Sequence, residues 1–371
     1  MKYYLIAGER SGDMHAANLM REIKLQDTEA QFRFWGGDQM QEQGGELVVH
    51  YRELAFMGFI EVLASIFKIT ALLKRCREDI AEYKPNVVIL VDYAGFNMRI
   101  AKYCKTHGIR TFFYISPKIW AWNEGRVKGV KQNIDRMFTI LPFETDFYKK
   151  HDYAVDYVGN PIADTVAGHQ VNPNFREQNK LGDKPIIAIL PGSRKQELES
   201  MLHFMVSILP SFPDHTLVIA AVSNLDAKYY EAFRRHDRVK IVYDQSYDLL
   251  AHSEAALVTS GTATLETALF NVPQVVCYKG SLASYLIARA VIKVKYISLV
   301  NLVAERAVVP ELIQENFKPS YLIAELRKIL FDKQARQAQL DGYAEIRQKL
   351  GQHQAAKKAA ELMVGYLKRS A

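Results

Sequence analysis

The sequence has few of the features that mark secreted or membrane-spanning proteins. Only three of its 371 residues are cysteines, and Cys76, Cys104 and Cys277 form neither a CxxC pair nor an even set. This predicts a reduced, cytosolic protein. No run reaches the roughly 18 uncharged apolar residues that a spanning helix needs, and the apolar start is too short for a signal-peptide core. We expect a soluble or peripheral protein.

Several common chemistries also lack their motifs. There is no HExxH, no His/Cys cluster, no D-x-D at a strand end, no GxSxG and no GxxxxGK[ST]. We therefore predict no catalytic metal and no cofactor. Lys and Arg number 48 against 41 Asp and Glu, a net charge of +7. This mild excess suits a polyanionic ligand or an anionic membrane surface. Without a nucleic-acid motif, it does not predict nucleic-acid binding.

Short apolar runs alternate with longer helical patterns along most of the chain. Continuous apolar strands of this kind are typical of parallel sheets that are covered on both faces. Because both halves show the pattern, we predict two doubly wound, Rossmann-like α/β domains with the carboxyl ends of their strands facing one central cleft. The predicted strands are 3–7, 86–91, 111–115, 137–141, 186–190, 217–222, 241–243, 256–259 and 274–278.

Polar stretches suggest where the domains divide. Residues 168–183 are polar and resemble a linker, and from Pro319 onward the pattern is helical. We predict an N-terminal domain over 1–168, a second domain over 169–345 and a helical tail over 346–371. The tail could return to the first domain or contact a second copy of the chain, as in a homodimer.

Two strand ends in the first half carry candidate functional residues. Gly8 to Asp13 (GERSGD) is a glycine-containing turn between a strand and a helix, which favours anions; the alternative is a tight turn in which Ser11 or Asp13 caps the helix. Asp92 ends the strand NVVILVD and is placed to accept a proton from a hydroxyl. Its alternative role is also helix capping.

Two strand ends in the second half look like anion-binding loops. Gly192, Ser193 and Arg194 follow one strand, and an arginine in a first helical turn gains nothing from the helix dipole unless an anion binds there. Residues 260–266 (SGTATLE) follow another strand, with Glu266 as either a ribose ligand or part of a capping box. Together the two loops suggest a site for a nucleotide diphosphate.

The segment FIEVLASIFKITALLKRCR (59–77) has an apolar band that is wide for a single core face, with basic flanks. Such a pattern is typical of a helix at a membrane interface, although an ordinary core helix with a basic edge has similar features. A second apolar and basic helix is predicted near 282–292. The candidate membrane-associating residues are Phe59, Val62, Ile66, Phe67, Lys68, Leu72, Leu73, Lys74 and Arg75.

An ordered series of motifs resembles the lipid-A-disaccharide synthase family, bacterial glycosyltransferases of the GT-B type. The series extends from about residue 8 to about residue 315. Its members are GERSGD (8–13), GG-x-x-M (36–40), MGFIEVL (57–63), VDYAGFN (91–97), YISPKIWAW (114–122), LPFE (141–144), VGNP-x-x-D (158–164), LPGSR (190–194), SGTATLE (260–266) and YISLVNLVAER (296–306).

The resemblance implies a reaction in lipid A biosynthesis in Gram-negative bacteria. The donor would be UDP-2,3-diacylglucosamine and the acceptor 2,3-diacylglucosamine 1-phosphate. The products would be a β-1,6-linked disaccharide 1-phosphate and UDP. Family members invert the anomeric carbon without a metal and work peripherally on the cytoplasmic face of the inner membrane, so anionic lipids would be partners.

The resemblance also implies roles for single residues. Asp92 matches the proposed catalytic base, although many relatives have D-x-P-D-F-N where this chain has Gly95 in place of the second acid. Two sets of residues complete the expectation. The donor set is Gly192, Ser193, Arg194, Ser260, Gly261, Thr262, Glu266, Asn301 and Glu305. The acceptor set is Glu9, Ser11, Gly12 and Asn97.

Two other functions remain compatible with the same fold. A UDP-sugar 2-epimerase would need acid and base residues around the sugar ring and no lipid-facing helix. A non-catalytic peripheral protein that binds nucleotide sugars would need no base. The apolar and basic segment weighs against the first alternative, and the acid at a strand end weighs against the second.

Overall fold

The computed structural model describes residues 1–54, 62–280, 294–351 and 354–369, with the backbone but not the side chains of 62–67. The chain forms two compact units. The first contains the residues up to Pro161 together with the C-terminal helix, and the second runs from Ile162 to Gly351. The first boundary, after Pro161, lies seven residues before the predicted boundary at 168. The second boundary, after Gly351, lies six residues beyond the predicted boundary at 345.

The first unit is built on a seven-stranded sheet whose neighbouring strands are all parallel. The strand order is β3-β2-β1-β4-β5-β6-β7. The strands are β1 (Lys2–Ala7), β2 (Gln31–Gly36), β3 (Glu46–His50), β4 (Val87–Val91), β5 (Thr111–Tyr114), β6 (Arg136–Thr139) and β7 (Asp156–Tyr157). The helices are α1 (Arg10–Gln26), α2 (Asp38–Glu42), α3 (Tyr51–Leu54), α4 (Val62–Tyr83), α5 (Ala94–Thr106), α6 (Ile119–Trp122), α7 (Val127–Asn133) and α8 (Pro142–Lys149).

The second unit is built on a six-stranded parallel sheet of order β10-β9-β8-β11-β12-β13. Its strands are β8 (Ile186–Leu190), β9 (Thr216–Ala221), β10 (Val239–Tyr243), β11 (Ala255–Thr259), β12 (Gln274–Tyr278) and β13 (Glu311–Ile313). Its helices are α9 (Pro161–Gly168), α10 (Phe175–Gln178), α11 (Lys195–Glu197), α12 (His203–Val206), α13 (Lys228–Glu231), α14 (Ser246–Ala251), α15 (Thr262–Leu269), α16 (Leu299–Ala304), α17 (Pro319–Phe331) and α18 (Lys333–Leu350).

The prediction of two parallel-sheet α/β domains is therefore confirmed. The nine predicted strands are present, with ends shifted by up to two residues. The sequence analysis does not predict the strands β2, β3, β7 and β13, because each mixes polar residues with apolar ones and none is a continuous apolar run. Residues 168–183 are more than a linker, since Phe175 at the start of α10 is buried in the core of the second unit.

The strand order reverses once in each sheet, between β1 and β4 and between β8 and β11. At such a switch point the connections leave in opposite directions, which opens a crevice at the carboxyl ends of the two strands. The pairing is in register to the ends, with Ala7 opposite Val91 and Leu190 opposite Val258. The segments that follow these four strands contain most of the candidate functional residues.

The C-terminal helix, α19 (Ala355–Lys368), belongs to the first unit. It lies in the same hydrophobic cluster as α1, where Met20 and Ile23 are buried together with Met363 and Leu367. The Tyr366 hydroxyl donates to the Asp156 carboxylate at 3.1 Å. The first unit therefore contains both the beginning and the end of the chain.

Candidate active site

Asp92 follows β4 directly, beside the segment that follows β1. Asp92 and Tyr93 both have left-handed backbone angles, with φ of 46° and 48°, and Tyr93 rather than Asp92 is the N-cap of α5, without a side-chain capping bond. Consecutive non-glycine residues in this region are uncommon, and such strain concentrates at functional sites. The Asp92 carboxylate is therefore not used as the helix cap.

The side chain of Asn97 stabilises this left-handed turn through contacts with backbone carbonyls. Its side chain is fully buried, and its amide nitrogen lies 2.7 Å from the carbonyl oxygen of Asp92, 3.3 Å from that of Val91 and 3.4 Å from that of Ile6. A side chain in this position ties β1 to the end of β4. The sequence analysis expects Asn97 to contact the acceptor. In the structure its side chain is buried and its amide nitrogen bonds to backbone carbonyls, and the acceptor contact stays a prediction.

Two opposing influences act on the Asp92 carboxyl group. Burial raises its pKa above the ordinary range, because desolvation disfavours the charged form. The positive charge of Lys118 and the backbone N–H of Tyr93 act in the other direction. A carboxylate with a raised pKa at a strand end is well suited to accept a proton near neutral pH.

The turn after β1 packs closely against the turn after β4. A Cβ atom at Gly8 would lie 2.3 Å from the Tyr93 ring, so this position accepts only glycine without movement of the ring. Glu9 is the N-cap of α1 without a side-chain capping bond, and Glu9 and Ser11 are exposed. Gly12 is buried, with its Cβ position 3.4 Å from that of Ala7.

Asp13 has a structural role in this region. Its buried carboxylate accepts hydrogen bonds from the backbone N–H groups of Gly37, Gln39 and Met40, at 2.7 to 3.2 Å. These N–H groups begin α2, so the carboxylate satisfies donors that have no partner within the helix. Asp13 therefore connects the first and second motifs of the series and does not cap its own helix.

A buried carboxylate also fixes the segment after β5. Glu144 accepts hydrogen bonds from the Ser116 hydroxyl, from the Trp120 indole N–H at 3.1 Å, and from the N–H groups of Ile140 and Leu141 at 3.1 and 2.9 Å. Its burial raises the pKa of the carboxyl group, and these donors oppose the rise. Residues 116–120 are thus held at both ends by one side chain.

In the second unit, the segment after β8 turns through Gly192, whose φ is 95°. A side chain there would be strained by the backbone and would also meet the Glu197 carboxylate. Ser193 and Arg194 are exposed, and Arg194 makes one ion pair, with Glu197 at 3.3 Å. The arginine side chain is 81% exposed, which leaves most of its donors available to a ligand.

The segment after β11 lies next to this turn, because β8 and β11 pair. Gly261 is the N-cap of α15 and has open space around its Cβ position, and Thr262 is exposed. The Ser260 hydroxyl is already used, since it donates to the Ile297 carbonyl at 2.9 Å. Two backbone turns with glycine and hydroxyl residues thus meet at the second switch point, as an anion site requires.

Glu266 lies one turn into α15 and forms no capping box. Its carboxylate accepts a hydrogen bond from the Tyr247 hydroxyl at 3.2 Å, and burial raises its pKa. Glu305 is different: it ends α16 in a left-handed conformation with φ of 59°, and its side chain is 72% exposed.

The side chain of Asn301, an expected donor ligand, bonds within its own loop in the structure. The residue is buried, and its amide nitrogen donates to the Val309 carbonyl and to Glu311, both at 2.9 Å. Its side-chain oxygen accepts from the N–H groups of Val308 and Val309, at 2.7 and 3.0 Å. These four bonds fill the capacity of a carboxamide, so Asn301 stabilises the loop, and its contact with the donor stays a prediction.

The sequence analysis missed Glu311, on which the same loop depends. Its carboxylate accepts from the N–H groups of Ile297 and Ser298 and from the Ser298 hydroxyl, in addition to Asn301. Glu311 is the first residue of β13, which pairs with β12. The only signal in the sequence was an acidic residue five positions after the motif that ends at Arg306.

The candidate membrane residues are only partly within the described residues. Phe59 and the predicted helix near 282–292 lie outside them, and the side chains of Val62, Ile66 and Phe67 are not described. Lys68, Lys74 and Arg75 are exposed along α4. Leu73 is buried in the core, and Leu72 is half-buried and packs against the core. Within the described ranges, no helix combines the length and hydropathy of a membrane span.

The fold defines a class of proteins first. The chain resembles a structure titled the glycotransferase of kitacinnamycin, with a TM-score of 0.66 and 15% identity over 98% of this chain and 97% of that one. It also resembles the UDP-GlcNAc 2-epimerase of Methanocaldococcus jannaschii in complex with UDP-GlcNAc and UDP, with a TM-score of 0.66 and 12% identity over 98% and 100% of the two chains. Such low identities establish the fold alone, which is that of GT-B glycosyltransferases and related epimerases.

The sequence comparisons then identify the family. The family model described as Lipid-A-disaccharide synthetase matches residues 3–364. The lipid-A-disaccharide synthase of Myxococcus xanthus is 39% identical over 370 residues, which is 98% of this chain and 97% of that protein. The chain belongs to the lipid-A-disaccharide synthetase family and is a glycosyltransferase of lipid A biosynthesis.

The assignment of Asn301 to loop structure can be tested by stability. We expect Asn301→Ala to lower the free energy of unfolding by about 2–4 kcal/mol, because buried N–H and C=O groups lose their partners. Urea denaturation measures the change, with Glu305→Gln as an exposed control near zero. A normal stability of Asn301→Ala with weakened binding of UDP would instead restore the original expectation of ligand contact.

Proposed function

We propose that the chain transfers the sugar of UDP-2,3-diacylglucosamine to the 6-hydroxyl group of 2,3-diacylglucosamine 1-phosphate. The acceptor oxygen would attack the anomeric carbon as the bond from that carbon to the UDP oxygen breaks. The products are a β-1,6-linked disaccharide 1-phosphate and UDP, with inversion at the anomeric carbon. Membership of the family supports the reaction class, and the strand-end position of Asp92 is the observation that carries the mechanism.

Asp92 is the proposed base in this reaction. A single displacement needs a group that takes the proton of the acceptor hydroxyl as the new bond forms. Asp92 suits this role because its carboxylate is not used as a helix cap, because Asn97 fixes its backbone, and because burial raises its pKa. Glu9, Ser11 and Gly12, in the turn after the neighbouring strand, are the proposed acceptor-side residues.

The departing UDP gains negative charge, which the second unit would stabilise. Arg194 and the backbone N–H groups around Gly192, Ser193, Gly261 and Thr262 are the proposed donors to the diphosphate. Backbone N–H groups that are already oriented need no reorganisation as the charge develops. Glu266 and Glu305 are the proposed ligands of ribose or donor-sugar hydroxyls. The open space at Gly261 and the exposure of Arg194 support this assignment.

Both substrates carry acyl chains, so the enzyme would have to work at a lipid surface. We propose that it binds peripherally to anionic lipids on the cytoplasmic face of the inner membrane through the region that includes the start of α4. The exposed Lys68, Lys74 and Arg75 would contact lipid headgroups. Leu73 is excluded from this proposed surface because it is buried in the core, whereas the half-buried Leu72 lies at the edge of the core.

The reaction can be tested by the release of UDP in detergent micelles. We expect release when donor and acceptor are present together, and none with either substrate alone, because the acceptor hydroxyl is the nucleophile. Appearance of the coupled disaccharide 1-phosphate should match the UDP. Release from the donor alone would contradict transfer, and an altered sugar still bound to UDP would support an epimerase instead.

Replacing Asp92 tests the proposed base. We expect Asp92→Asn to lower kcat by about 10²- to 10⁴-fold, the usual contribution of general-base catalysis, with little change in UDP binding. Asn has nearly the same shape and keeps the backbone turn possible, so circular dichroism and thermal unfolding should match the native chain. Full activity of this variant would refute the assignment.

Replacing Arg194 tests the proposed diphosphate site. We expect Arg194→Ala to raise the Kd of UDP by about 10- to 100-fold, because hydrogen bonds to charged groups are worth roughly 1.5–3 kcal/mol. Isothermal titration calorimetry with UDP measures the change. The exposed Lys333, at the first residue of α18, provides the control Lys333→Ala, which should bind UDP normally. Equal affinities of the two variants for UDP would show that the diphosphate does not bind at this turn.

A further inference from the structure

The segment after β5 brings a cation to the candidate active site. Lys118 lies between Ser116 and Trp120, and its side chain is exposed. None of the described residues accepts a hydrogen bond or forms an ion pair with its ammonium group. A lysine on a loop is usually a solvated surface residue, so its position relative to Asp92 has to be established from the backbone.

Backbone pairing places this segment next to Asp92. The strands β4 and β5 are neighbours, with Val91 opposite Tyr114, and the N–H of Asp92 donates to the Tyr114 carbonyl at 3.0 Å. The ladder therefore continues one residue beyond β4. Directly after this bond, Ile115 turns with a φ of 67°, a left-handed angle that is a marked outlier for a β-branched residue. The chain is thus redirected beside Asp92.

The loop that carries Lys118 is held at both ends. Ser116 and Trp120, two residues before and two after it, both donate to Glu144, whose carboxylate is 2% exposed. Asn97 holds the backbone of Asp92 in the same way. Two buried polar side chains therefore fix the backbone on which the carboxylate and the ammonium group are carried, which is how functional groups are usually positioned.

We propose that Lys118 is a positioning residue that acts through Asp92: its ammonium group keeps the Asp92 carboxylate charged and ready to accept the proton of the acceptor hydroxyl. This inference rests on the proposed function, in which Asp92 is the base. Gly95 adds no side chain near the turn, and a Cβ there would meet nothing within 4 Å.

The electrostatics of the site agree with this geometry. Burial raises the pKa of Asp92, and the charge of Lys118 is the larger of the two influences that lower it. The other titratable groups described around the turn are Tyr93, which follows Asp92, and Glu9 after β1, whose charge raises the pKa of Tyr93 together with burial. The positive charge of Lys118 thus opposes the rise in the pKa of Asp92 that burial causes.

The sign of the expected effect follows from this arrangement. Without the cation, the pKa of Asp92 should rise further, and the carboxylate should be protonated at a higher pH. The acidic limb of kcat/KM, which reports groups of the free enzyme, should then move to higher pH. Because Lys118 is exposed and solvent screens its charge, the shift should be smaller than that of a buried ion pair.

The experiment compares Lys118→Met, Lys118→Arg and the control Lys102→Met, an exposed lysine on α5. Rates of UDP release are measured from acid to neutral pH with both substrates. We expect the acidic limb to move up in Lys118→Met, to stay near its native position in Lys118→Arg, and to be unchanged in the control. At a pH well above the limb, kcat of Lys118→Met should approach the native value.

An unmoved acidic limb in Lys118→Met would overturn the proposal. If the KM for the acceptor is raised at the same time, the ammonium group binds the acceptor phosphate instead. Asp92→Asn is measured in the same series. An active Asp92→Asn would refute the base assignment itself, whereas an inactive one with an unmoved limb in Lys118→Met refutes only the role of Lys118.

Discussion

The parallel pairing of β1 with β4, and of β8 with β11, is the constraint on which the candidate site depends. These pairs lie at the two points where the strand order reverses, and the chain leaves both strands of a pair at the same edge of the sheet. The turn at Gly8 therefore packs on Tyr93, and the turn at Gly192 lies beside Gly261. Hydrogen bonding between buried strands thus brings segments that are far apart in sequence to the same edge of the sheet.

Buried polar side chains then fix the backbone where the strands end. Left-handed angles at residues such as Asp92 and Ile115 cost of order 1–3 kcal/mol each and persist only where the surroundings hold them. Asn97 and Glu144 supply this hold through amide and carboxylate contacts inside the first unit. Glu311 does the same for the loop near Asn301 in the second unit. In both units, buried amides and carboxylates position exposed functional groups.

The same arrangement shows what sequence cannot tell about single site residues. Asn97 and Asn301 lie within motifs that contain both buried and exposed residues, and nothing in the sequence distinguishes an asparagine that contacts a ligand from one that bonds to nearby carbonyls. The tertiary structure shows the difference in detail, because the carboxamide of Asn301 has all its donors and acceptors paired, whereas the buried side-chain oxygen of Asn97 has no partner among the described residues. Leu73 was misassigned for a related reason, since an apolar helix face has the same pattern toward a core as toward a lipid surface.

The sequence by itself determined the class of fold and the positions of the main candidate residues. Continuous apolar strands that alternate with helices indicate parallel sheets, and the segments after them contain Asp92, Arg194 and Gly261. Only the tertiary structure decided the strand order, the return of α19 to the first unit, and the proximity of the Lys118 loop to Asp92. These depend on contacts between residues distant in sequence, and local periodicity and turn chemistry carry no record of such partners.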